Sequence, residues 1–204
     1  YYYITTMNEN YVMPSMPKGV EDGILKCIYQ LSSDKAKKGE HKAQLFGSGT
    51  ILRETIAAAE LLKKDWKVSA DVWSVTSYNE LAREAVDCER WNMLNPSKKA
   101  RVPYITKQLE KAAGPVIASS DYIRTVSNQV RQYVPATYTV LGTDGFGRSD
   151  TRVNLRRHFE VNSHYIVLAT LKTLADEGTI PASKGNDAIK KYGIDTNKPN
   201  PLTA

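Results

Sequence analysis

Apolar positions along the chain follow two alternating rhythms, and the switches between them predict the fold. Short runs rich in β-branched and aromatic residues read as strands over 43–47, 71–76, 116–119 and 138–142. Between them the spacing changes to i, i+3, i+4. Ile51, Leu52, Thr55, Ile56, Ala59 and Leu62 share one face of a helix running to about residue 64. A second helix is predicted over 79–91, and Pro103 suits the first turn of another running to about 111. Gly114-Pro115 breaks the chain, and Asp121 is placed to cap a helix carrying Tyr122, Ile123, Val126, Val130 and Tyr133 on one face. Residues 144–150 form a Gly-rich loop before a helix over 151–160. Asn162 caps a longer helix with Ile166, Val167, Leu171 and Leu174 inward and Gly178 as its stop, and Pro181 opens a last helix to about Tyr192.

The first part of the chain is less regular. Residues 1–5 read as a strand and 8–17 as an extended connector. Residues 19–31 read as a weak helix with Ile24, Leu25, Ile28 and Leu31 on one face, and 32–42 as a wet, lysine-bearing loop. Strands alternating with helices imply right-handed βαβ units. The expected fold is a three-layer α/β/α domain around a mostly parallel sheet of about five strands. Its expected organisation is residues 1–17 as the end of a preceding domain and a connector, 18–37 as helix and linker, and 38–204 as the α/β domain. A start in mid-strand, Tyr1-Tyr2-Tyr3-Ile4-Thr5, is what a piece of a longer chain would show.

Composition narrows the function classes. The 204 residues can bury roughly 70% of their unfolded surface. With 41% hydrophobic and 25% charged residues the composition is that of a globular protein, and no run reaches the length of a membrane span. The net charge of +6 raises nucleic-acid binding, but that surplus is ordinary for enzymes of this size, and no nucleic-acid partner is expected. Cys27 and Cys88 lack CxxC spacing and read as reduced thiols of a cytoplasmic protein. With only His41, His158 and His164 beside them, no zinc site is expected.

Four groups of residues could carry chemistry. Gly47-Ser48-Gly49 opens like a dinucleotide fingerprint, but Leu52 stands where its third glycine belongs, and Asp71 falls at the start of the second strand rather than its end. A tight turn needing small residues competes there with a nucleotide site. In the loop Gly142-Thr143-Asp144-Gly145-Phe146-Gly147-Arg148-Ser149-Asp150, Phe146 lies between two glycines and can anchor against another surface. Arg148, Arg152 and Arg156 follow at i, i+4, i+8, with Arg157 and His158 beside them. They form either a solvated face or an interface for an acidic partner or a phosphate. His158 and His164 are candidate general bases with no evident nucleophile beside them. Asp87-Cys88-Glu89-Arg90 fits an Asp87–Arg90 ion pair better than a nucleophilic thiol.

These same residues carry a resemblance. The runs 1–11, 45–53 (Leu45-Phe46-Gly47-Ser48-Gly49-Thr50-Ile51-Leu52-Arg53), 72–83, 87–94, 142–150 and 200–204 resemble the thiamine-diphosphate-dependent decarboxylating component of homodimeric bacterial pyruvate dehydrogenase complexes. Residues 142–150 are also similar to the DxFGxS loop of the wider transketolase group. The resemblance covers essentially the whole chain and implies a C-terminal domain. Such a domain has a five-stranded sheet with one antiparallel strand, and only four strands are placed above, so the fifth is expected within 18–42.

For the parent subunit the resemblance implies thiamine diphosphate and Mg2+, decarboxylation of pyruvate, and acetyl transfer to a lipoyl-bearing dihydrolipoyl acetyltransferase. It also implies a homodimer. For this chain it implies no bound cofactor, no catalytic residue and no metal ligand, and a structural and assembly role; the reading of the loop and its arginines makes Phe146, Arg148, Arg152 and Arg156 the candidate interface within the full subunit. A nucleotide-binding α/β domain is the alternative.

Overall fold

A computed structural model describes residues 9–204; the strand expected over 1–5 lies outside them. Five strands form one sheet, β1 (Ile28–Ser32), β2 (His41–Gly47), β3 (Val68–Val75), β4 (Val116–Ser119) and β5 (Tyr138–Leu141), in the order β1-β3-β2-β4-β5. Four run parallel, and β1 pairs antiparallel with β3 from Ile28 opposite Val75. This matches the mixed five-stranded α/β sheet expected.

Helices cover both faces. Helix α2 (Leu52–Trp66), with α7 (Ser163–Asp176) and α8 (Ser183–Tyr192), buries Leu45, Ile117, Leu62, Ile166, Leu171 and Leu174 on one side. On the other side α3 (Tyr78–Leu94) and α4 (Tyr104–Leu109) close over Phe46, Trp73, Val116 and Tyr138. Neighbouring residues Leu45 and Phe46 thus serve opposite cores, as the two-residue period of a strand requires. The capping residues act locally: Ser77, Thr151 and Asn162 each accept from the backbone N–H three positions on.

Two elements differ from the periodicity. The helix expected over 19–31 is a five-residue helix α1 (Glu21–Leu25) followed by β1. Cys27 adopts φ +72 and ends the helical path, and Ile28 and Leu31 then enter the sheet. The helix expected behind Asp121 starts later, as α5 (Arg124–Asn128), with Ile123 at its N-terminal boundary making no side-chain cap, and is followed by a 3-10 turn at Arg131–Tyr133. Tyr122 and Ile123 are exposed rather than inward.

One polar network lies inside the sheet. The Asp71 carboxylate on β3 accepts from Lys42 Nζ at 2.6 Å, Ser33 Oγ at 2.8 Å, Asp34 N at 3.0 Å and Gln44 Nε2 at 3.1 Å. Gln44 Oε1 in turn accepts from the Trp73 indole at 2.8 Å. At the sheet's outer edge, Arg131 donates to the Tyr138 carbonyl at 2.7 Å and lies over the Tyr138 ring.

Candidate functional site

The chain order turns back on itself between β2 and β4. Strands added from β2 proceed through β3, and those from β4 proceed through β5. In parallel sheets the crevice beyond the carboxyl ends at such a point is where ligands bind. Here it is bounded by the turn after Gly47, the turn after Ser119 and the loop after Leu141, with Ser48 N donating to the Ser119 carbonyl across it at 3.3 Å.

The turn after β2 is tight because the helix backbone comes against the strand. A side chain at Gly47 would lie 2.7 Å from the Leu52 Cα. Close helix–strand packing is therefore supplied at Gly47 rather than at position 52. The Asp121 carboxylate sits over the start of this turn and accepts from Thr50 Oγ1 at 3.4 Å. A negative charge already occupies the place where a phosphate would meet the helix start. Asp71, the residue considered for a ribose contact, is committed to Lys42 and Gln44 inside the sheet. The dinucleotide reading loses both its anion site and its acid.

The Gly-rich loop is fixed over its first residues. Thr143 N donates to the Tyr122 carbonyl at 2.9 Å, and its hydroxyl to the Asp121 carbonyl at 2.7 Å. Asp144 pairs with Arg124 Nε at 2.5 Å. Gly145 has φ +101, and a Cβ there would fall 2.0 Å from the Pro201 carbonyl, so the C-terminal segment rests on the loop through a position only glycine fits. Lys198 extends that contact, donating to the His158 carbonyl at 2.7 Å and pairing with Glu160 at 2.9 Å. The tip residue Phe146 is 76% exposed.

The three arginines do not form a single stripe. Arg148 lies in the loop, ahead of helix α6 (Arg152–His158). Arg152 pairs with Glu9 at 3.0 Å, and Arg156 pairs with Glu54 at 3.1 Å and donates to the Tyr11 hydroxyl at 3.2 Å. Arg53 stacks on the other part of the Tyr11 ring, its guanidinium carbon 4.1 Å from the centroid. Glu54 also accepts from Ser163 N at 2.9 Å, so this carboxylate ties α2, α6 and α7 together. The connector is thereby clamped onto the domain through Glu9 and Tyr11. Glu54 and Tyr11 carried no signal in the sequence, because their partners lie far away along the chain.

The other candidates make local contacts. His164 stacks flat on Tyr192, with centroids 4.3 Å apart. His158 packs edge-on against Phe159, and its Nε2 is buried without a partner among the described residues, closed to a substrate proton. Asp87 pairs with Arg101 at 3.8 Å rather than with Arg90. Cys88 Sγ donates to Glu84 Oε1 at 3.3 Å; burial first, and then the Glu84 carboxylate, pushes this thiol above its ordinary value. A thiol reagent at pH 8 is therefore expected to modify Cys27 first, with Cys88 at least about tenfold slower. Equal rates in a kinetic mass-spectrometric assay would contradict this. Among the described residues, no cluster of His, Cys, Asp and Glu could hold a metal ion, and no helix is long and apolar enough to cross a membrane.

The family model of the transketolase-like C-terminal domain matches residues 28–162. Over its whole length the chain is 55% identical to the pyruvate dehydrogenase E1 component of Cupriavidus necator and 56% identical to that of Escherichia coli K12. In each case it spans 23% of the relative's length. Among solved structures, a transketolase from Pichia stipitis superposes on 77% of this chain and 19% of its own, with a TM-score of 0.51 at 16% identity, which is a likeness of fold.

Proposed function

The chain belongs to the transketolase-like C-terminal domain family, and from that membership we propose that it is the C-terminal scaffolding and assembly domain of a pyruvate dehydrogenase decarboxylating subunit. The observation that carries this reading is identity of 55–56% across the whole chain to E1 components more than four times longer. The full subunit would decarboxylate pyruvate and pass the acetyl group to a lipoyl-bearing acetyltransferase in the cytoplasm. Thiamine diphosphate with Mg2+ would supply the carbanion chemistry in that subunit.

The described residues do not fit that cofactor. A Mg2+-bound diphosphate needs a set of anionic or neutral oxygen donors for the metal and free N–H groups for the phosphates. No metal-holding cluster is formed among the described residues, and Asp121 covers the helix start where phosphate would approach. No catalytic step is therefore assigned here. The work of this domain is to present a rigid surface to the rest of the subunit and to its dimer partner. Residues 1–17 serve as the end of the preceding domain and its connector, and the loop bearing Phe146 and Arg148 lies at the contact, with Arg152 and Arg156 behind it.

Phe146 supplies the test. Its ring is exposed just beyond the pinned residues Thr143, Asp144 and Gly145, the arrangement of an interface anchor. Phe146→Asp in the full-length subunit is expected to weaken dimer or interdomain assembly at least about tenfold, read by sedimentation velocity. The same substitution should leave the melting temperature of this 204-residue chain essentially unchanged. Unaltered assembly would refute the interface. Micromolar binding of thiamine diphosphate and Mg2+ by this chain in a calorimeter would refute the scaffolding role.

A further inference from the structure

The crevice at the β2–β4 turning point deepens into a cavity of about 370 Å³, large enough for a small ligand. Its floor is apolar, formed by Ile51, Leu155, Phe159 and Val161, and Arg148 and Arg152 line its rim. An apolar floor beneath a cationic rim matches a molecule with an apolar body and one anionic end. The distribution of charge decides where that end goes. Asp121 repels an anion from the start of α2 and leaves the arginine side as the attractive wall. Arg156 is held by Glu54, itself fixed by Ser163 N. Among the described residues, Arg148 has no carboxylate within ion-pair range. Arg152 pairs through Nε with Glu9, whose carboxylate is half-exposed, also accepts from the Tyr11 hydroxyl at 2.6 Å and sits on a connector that belongs to no helix or strand. The Glu9 side of that pair faces solvent, where a dissolved anion can compete with it.

We propose that this cavity binds a small organic anion, an apolar or aromatic body ending in a carboxylate or phosphate. Arg148 and Arg152 take the anion, and Glu9 is its internal competitor. Binding then lifts Glu9, and with it the Tyr11 contact, off the domain, so that occupancy of the cavity is coupled to the position of the connector. The coupling is reciprocal: whatever holds the connector down weakens the ligand by the same factor. This site does not rest on the assembly role, and it requires no thiamine cofactor.

Titration of the 15N-labelled chain with phenyl phosphate at constant ionic strength tests it, with benzoate, inorganic phosphate and phenol as parallel probes. Phenyl phosphate, benzoate or both should saturate at millimolar concentration, and the two arms tell a phosphate preference from a carboxylate one. The amides of Thr50, Gly147, Arg148 and Val161 should shift together with those of Glu9 and Tyr11. Arg148→Gln should weaken binding about tenfold, the loss of one charge-assisted contact. Glu9→Gln should tighten it several-fold by removing the competitor. Both positions lie outside the cores, and the backbone spectrum verifies folding of each variant. The proposal fails if neither organic anion saturates, if inorganic phosphate or phenol alone binds as tightly, or if the two variants leave the affinity unchanged.

Discussion

Asp71→Ala is expected to lower the unfolding free energy by about 3–5 kcal/mol. Asp71 is 7% exposed, and its carboxylate accepts four hydrogen bonds from two segments, Ser33–Asp34 and β2. Its removal takes the counter-charge from the Lys42 ammonium, whose side chain is 17% exposed and which among the described residues keeps only the Asp34 carbonyl, and one of two acceptors from the fully buried Gln44 amide, which keeps the Ala113 carbonyl. Most of the loss comes from the buried Lys42 charge left without its counter-ion and the donors left under-satisfied, rather than from the attraction itself. The Lys42→Met, Asp71→Leu double variant should therefore recover much of the stability, since a buried ion pair replaced by apolar side chains of similar size is often neutral. Urea unfolding of the two variants separates the explanations. A single-variant loss under about 1 kcal/mol, the range of an exposed pair, would show that the network contributes little.

Phe46→Ala should cost a similar amount, about 3–5 kcal/mol, for an unrelated reason. Phe46 is fully buried on β2, in register with Trp73 on β3 and Ala118 on β4. Its ring meets the edges of Trp73 and Tyr138, both at 6.3 Å between centroids. Three strands and the α3–α4 layer meet at this side chain, so truncation opens a cavity that no single element can collapse into. A fall in melting temperature of about 10 °C or more is expected for a chain of this size. Phe46→Leu should keep most of the stability, because it keeps most of the volume. If Phe46→Ala melted within a few degrees of the parent chain, the core on this face would be far looser than the packing indicates.

The fold was legible where one local rhythm decides an element. Ile166, Val167, Leu171 and Leu174 mark α7, and all four are buried. The rhythm misled where the partner is remote. Ile24, Leu25, Ile28 and Leu31 look helical in isolation, yet Ile28 pairs with Val75 across the intervening β2 and α2. Only the family resemblance anticipated a fifth strand there. The early start of β3 was hidden in Val68-Ser69-Ala70, whose small and polar residues are buried on both faces of the sheet and show no alternation. At the candidate site the arginine spacing was visible, but its meaning was not. Glu54 lies 102 residues from Arg156, and Asp121 read as a helix cap rather than as the charge that covers the turn after β2.

The two outer strands bear on how the molecule behaves in a crowded solution. An open sheet offers its unpaired edges to any neighbouring chain, and flat, regular edges are where aggregation by strand addition begins. Here one border, β1, loses its register between Gln30 and Ser32. The other, β5, is four residues long, with the Tyr138 carbonyl already taken by Arg131. A stranger's strand finds too few consecutive partners on either side to continue the ladder, so the domain can stay at high concentration without seeding β-aggregates.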